Sequence, residues 1–172
     1  MKKSLLWFGS FAVLQALAIS VSPVSAQTAQ QEVRLVYSAA DSGSATSSGS
    51  VVHSASLLYS ATGNASSTGL GIRVHFNSAL VQIEEIGHLL EESSVGLQIL
   101  PDTQDLDADS STDQYINAAW VDLLGAWPGA RTAPVELFTI VYVTLPGLEH
   151  SAFSVTHSAA AVGFEFVANV GE

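Results

Sequence analysis

The chain has 172 residues, no cysteine, and sixteen acidic side chains against five basic ones, for a formal charge of −11 with histidines neutral. The missing cysteine excludes disulfides, thiol catalysis, zinc–cysteine centres and iron–sulfur clusters. So acidic a surface repels phosphate backbones and anionic lipid, which speaks against nucleic-acid binding and electrostatic membrane binding.

The N-terminus carries Lys2 and Lys3, an apolar stretch from Leu5 to about Val21, and small residues at Val24 and Ala26. That order is the pattern of a secretory signal peptide (1–26), with cleavage predicted after Ala26. No later stretch approaches the ~20 apolar residues that span a bilayer, so no membrane anchor is expected after cleavage. Residues 27–172 then form one extracellular or periplasmic domain of ordinary size. Losing both lysines takes the charge from −11 to −13 and leaves Arg34, Arg73 and Arg131 as the only basic side chains besides histidine.

Along this domain the apolar residues alternate with period two. Glu32–Tyr37 and Val51–Tyr59 read as the first strands, separated by a Ser/Gly/Ala-rich loop from Ser38 to Ser50. In Leu70–Phe76, Leu70, Ile72, Val74 and Phe76 point one way, and Gly71, Arg73 and His75 point the other, toward solvent. Asn77–Gln82 and Gly87–Ser93 can form at most a helical turn. Val95–Leu100, Tyr115–Val121, Val135–Thr144, Phe153–Thr156 and Val162–Val167 complete the strands. Val135–Thr144 is apolar on both faces and is expected centrally. Eight or nine short strands with Gly, Ser, Pro and Asp between them predict an all-β, two-sheet antiparallel sandwich, with a barrel as the other way to bury them.

Between Asp102 and Asp113 the chain reads PDTQDLDADSSTD with its preceding proline, placing Asp102, Asp105, Asp107, Asp109 and Asp113 within one short loop. Calcium takes six to eight oxygens at about 2.3–2.6 Å, and a curved acidic loop can supply them. Close carboxylate pairs repel by about a kcal/mol even when screened, and with no lysine left to neutralise them a structural calcium ion is expected. The order from Asp105 matches part of an EF-hand loop, but Ser110 replaces its glycine, Ile116 its bidentate glutamate, and a strand follows. The expectation is therefore a calcium loop in a β setting.

Trp120 lies in an apolar run and is expected in the core, whereas Trp127, before Pro128 and Gly129, is expected on the surface as a ligand-binding aromatic. Tyr115 and Tyr142 are weaker candidates of that kind. The histidines (His53, His75, His88, His150, His157) have no metal-ligand spacing. No G-x-S-x-G elbow is present. Glu84–Glu85 and Glu91–Glu92 read as surface pairs rather than glycosidase carboxylates, and Asn64–Ala65–Ser66 matches a glycosylation sequon.

The stretch LLYSATGNASSTGLGIRVHFNSALVQIEEI resembles the front half of a cohesin-like domain, in which an alternating strand runs into a short turn, here Phe76-Asn77-Ser78-Ala79-Leu80. AAWVDLLGAWPG and APVELFTIVYVTLPG are similar to later strands of the same domains, so the resemblance spans about Val33 to Val167. It implies a jelly-roll sandwich related to carbohydrate-binding modules, and a sheet face that binds a protein partner, as cellulosomal cohesins bind dockerins. Taken together, the sequence predicts a secreted, non-catalytic, cohesin-like recognition module for a dockerin-like protein or a polysaccharide. The alternatives are a carbohydrate-binding module using exposed aromatics and a small glycosidase.

Overall fold

The computed structural model describes residues 29–38, 51–63, 66–144 and 153–171. The expected signal peptide, most of the Ser/Gly-rich loop, Asn64 and His150 lie outside them. Among the described residues there are nine strands: β1 (Ala29–Ser38), β2 (Val51–Thr62), β3 (Gly69–Phe76), β4 (Val81–Gly87), β5 (Ser94–Pro101), β6 (Gln114–Val121), β7 (Val135–Thr144), β8 (Phe153–Ala159) and β9 (Phe164–Val170). They form a five-stranded sheet, β4-β7-β2-β1-β9, packed on a four-stranded sheet, β5-β6-β3-β8. The two-sheet jelly-roll sandwich read from the sequence is the fold observed.

Alternation builds the core. Val33 and Leu35 of β1, and Ala55, Leu57 and Tyr59 of β2, face Ile72 and Val74 of β3 and Ile116, Ala118 and Trp120 of β6, all nearly inaccessible. Phe138, Ile140 and Tyr142 add the inward row of β7. This strand has neighbours on both sides, but β2 occupies the middle of its sheet. At roughly 25 cal/mol per Å² of apolar area removed from water, this layer is the main stabilising term of a chain without cross-links.

Three local features depart from the sequence reading. The segment Val81–Gly87, left between the two expected turns Asn77–Gln82 and Gly87–Ser93 and given no strand in the sequence reading, is the edge strand β4, and a bulge between Ile83 and Glu85 interrupts its alternation. One pair breaks the antiparallel rule: β9 runs parallel to β1, with Ala29 opposite Phe164 and Leu35 opposite Val170. Trp127 is not on the surface. Ser67 and Trp127 exchange backbone hydrogen bonds (2.8 and 3.1 Å), which draws the indole inward against Tyr59 (ring centroids 4.6 Å) and Trp120 (6.0 Å). It is 1% exposed, so it cannot stack on a ligand.

Gln31 ties the two layers together. Its side chain is fully buried; Nε2 donates to the Gly69 carbonyl (2.9 Å) and faces Ser67 Oγ and Tyr59 Oη (3.2 Å each), while Oε1 accepts from the Ala161 amide (3.0 Å). Gly69 must be glycine: its φ is +132°, and a Cβ there would lie 2.0 Å from the Trp120 carbonyl oxygen. Gln31→Leu should strand a buried carbonyl and a buried amide, costing about 1–3 kcal/mol in urea unfolding with an unchanged m-value.

Candidate functional site

The acidic loop is closed at its neck. The Asp102 amide donates to the Asp113 carbonyl (2.8 Å), and the Asp113 amide donates to the Phe76 carbonyl (3.2 Å). The loop thereby folds back over the outer face of the four-stranded sheet, beside the ends of β3 and β8. Asp105 and Ala108 adopt positive φ (53° and 58°) as the chain reverses.

This fold-back changes the place of His75. Alternation correctly turns it away from the core, but the loop lies over it and it is 0% exposed. The expectation of a solvent-facing histidine is overturned because the outward face of β3 is covered as well. His75 Nδ1 lies 3.0 Å from Asp102 Oδ2 and 3.9 Å from Asp107 Oδ2, and Nε2 lies 2.8 Å from Thr156 Oγ1. A carboxylate can only accept, so Nδ1 carries the hydrogen toward Asp102.

Two of the five loop aspartates converge here, with side chains 0% (Asp102) and 2% (Asp107) exposed. Asp102 accepts from the Leu106 amide (3.1 and 3.2 Å). Asp107 accepts from Ser154 Oγ (2.6 Å), from Thr112 Oγ1 (3.0 and 3.1 Å) and from the Asp109 amide (3.2 Å). One ligand atom each from His75, Asp102 and Asp107 lies within 4.8 Å of the others, a grouping that could hold a metal ion. Burial pushes the Asp107 carboxyl up, but hydrogen bonds from Ser154, Thr112 and the Asp109 amide, with His75 nearby, outweigh it and hold it below the usual carboxylate range.

The other three stand outside this group. Asp105 is exposed, Asp109 binds Ser111 (2.7 and 2.9 Å), and Asp113 receives both the amide and the hydroxyl of Ser78 (2.6 Å each). The period-two spacing of Asp105, Asp107 and Asp109 therefore does not bring their carboxylates to one centre. His75, Thr112, Ser154 and Thr156 are the members that sequence reasoning missed. Their only signal was a shortage: an acidic loop without lysine must find its donors on the strands it covers.

Asp102, His75 and Thr156 have the connectivity of a nucleophilic relay, but the imidazole is sealed and Thr156 sits within a strand. A second feature of the same outer face is open. A cavity of about 370 Å³ lies over Gly71, Ala119 and Ala159, at the end of the sheet marked by Val121, Leu123 and Ala161. Leu123 is 91% exposed and Val121 46%. On the opposite sheet a smaller hollow of about 270 Å³ is bordered by Glu32, Arg34, Leu58, Ser60, Ala133 and Pro134.

No family model matches the chain, and no curated protein matches it. Among solved structures, it is similar to the second type II cohesin module from the cellulosomal adaptor ScaA scaffoldin of Acetivibrio cellulolyticus. The two share 10% identity over 84% of this chain and 95% of that one, with a TM-score of 0.39. No residue role passes from that likeness.

The Ser78 bonds hold the Asp113 carboxyl below its ordinary value of 3.8. A carboxyl depressed in the native state stabilises above its unfolded pKa, and that contribution is lost as pH falls through the lower native value. Asp113→Asn removes the linkage, so its stability should fall less steeply than that of the parent chain below about pH 4. Urea unfolding at a series of pH values measures both slopes.

Proposed function

We propose that the chain is a secreted, non-catalytic recognition module, and that it binds a protein partner through the open end of the four-stranded sheet. The observation that carries this reading is the apolar groove over Gly71, Ala119 and Ala159, with Leu123 and Val121 standing exposed at its edge. A contiguous apolar patch with small residues beneath it is characteristic of a protein contact rather than of a solvated face. Asp122 follows directly on Val121, and the exposed Glu91 and Glu92 precede Ser93, whose carbonyl accepts the Val121 amide. The fitting partner is an apolar segment flanked by basic residues, met by a domain of strongly negative charge. Secretion rests on the pattern of residues 1–26.

The polysaccharide reading is less favoured. Stacking on sugar rings needs exposed aromatics, and among the described residues no Phe, Tyr or Trp is exposed. Tyr142 is 1% exposed, and Tyr115 lies under the Arg73 guanidinium (5.7 Å). The glycosidase reading needs two facing carboxylates in a cleft. Neither Glu84–Glu85 nor Glu91–Glu92 borders either of the two cavities described, and Glu92 pairs with Arg131 (2.8 Å).

Leu123→Asp should weaken capture of an extracellular partner at least about tenfold while leaving the melting temperature unchanged, because the side chain is already in water. Arg34→Ala on the opposite sheet should leave capture intact. Pull-down from culture medium, followed by titration of the recovered partner, makes the comparison. Equal binding by the Leu123→Asp chain would refute the assignment.

A further inference from the structure

We infer that His75, Asp102 and Asp107 form a three-ligand site for one small divalent ion of the zinc type, which pins the 102–113 loop onto strand β3.

Charge is the first argument. Two carboxylates, 0% and 2% exposed, face a single imidazole. Buried carboxylates ordinarily meet a cation. Neither has an arginine or lysine partner among the described residues: Arg34 pairs with Glu32, Arg131 with Glu92, and Arg73 donates to the His157 carbonyl. Even a protonated His75 leaves one negative charge uncompensated.

Geometry is the second. Nδ1 lies 3.0 Å from one carboxylate oxygen and 3.9 Å from the other, and the three ligand atoms are all within 4.8 Å of one another. One ion can touch three atoms so placed at about 2.0–2.4 Å, the reach of zinc and similar ions.

The surroundings give the third, because the groups that orient metal ligands are already in place. A ligating imidazole normally donates its other N–H to a fixed acceptor; an ion at Nδ1 displaces the hydrogen that Asp102 accepts in the metal-free chain and leaves the ring N–H at Nε2, which has Thr156 Oγ1 at 2.8 Å. Asp107 is held by Ser154 and Thr112, and Asp102 by the Leu106 amide.

The donor set selects the ion. Calcium prefers six to eight oxygens, whereas an imidazole with two carboxylates suits zinc or another borderline transition ion. The exposed Asp105 and Asp109, which a calcium loop would recruit, stand outside the cluster.

The mature wild-type chain, stripped with EDTA, should gain about 5 °C or more in melting temperature on adding a small excess of zinc chloride, and much less with calcium chloride at the same concentration. The gain should survive in Asp105→Asn/Asp109→Asn and vanish in His75→Gln. If His75→Gln does not fold, X-ray absorption of the zinc-loaded wild-type chain decides: imidazole scattering supports the site, and its absence overturns it. No zinc shift, or a calcium shift that depends on Asp105 and Asp109, also overturns it. These outcomes are independent of partner capture at Leu123.

Discussion

A chain with sixteen carboxylates and three arginines outside its N-terminal segment cannot neutralise its acids with salt bridges. It must hold them with hydroxyls and backbone amides. Asp113 takes Ser78, Asp107 takes Ser154 and Thr112, Asp109 takes Ser111, and Asp122 takes the Leu124 and Ala126 amides. Charge-assisted bonds of this kind are stronger than neutral ones and fix direction as well as distance. The abundance of serine and threonine, which as bare composition suggests flexible loops, instead supplies these donors.

The same requirement divides the outer face of the four-stranded sheet. At one end the loop uses that face as its source of donors, so His75 is buried beneath it and Ser154 and Thr156 are partly covered. At the other end the floor is Gly71, Ala119 and Ala159, which offer neither hydrogen bonds nor bulk. Thr68 and Ser158 are the hydroxyl side chains that line it, and the groove stays open beside Leu123. A single sheet therefore carries a sealed polar end and an accessible apolar end, and the two proposed roles occupy different ends.

Much of the sandwich was legible because one-sided burial writes itself as alternation. Ile72, Val74, Ile116, Ala118 and Trp120 fall where period two puts them. What escaped follows from contacts between segments distant in sequence. β4 was hidden because a bulge at Glu84 breaks its alternation. Trp127 was misplaced because a Trp-Pro-Gly stretch reads as a surface turn, and only the pairing with Ser67, sixty residues earlier, turns it inward. The acidic loop was recognised as the chemically distinctive segment, but spacing along a loop does not fix direction. Hydrogen bonds to β3 and β8 turned two of its five aspartates inward and left three outside.

The parallel pairing of β1 with β9 has a mechanical consequence. The residues entering β1 and those leaving β9 lie at opposite poles of the same ladder, Ala29 beside Phe164 and Leu35 beside Val170. Tension applied between these poles acts along the strands, so the bonds joining them share the load in shear instead of parting one by one like a zipper. A sandwich wired this way resists being pulled open from its two ends.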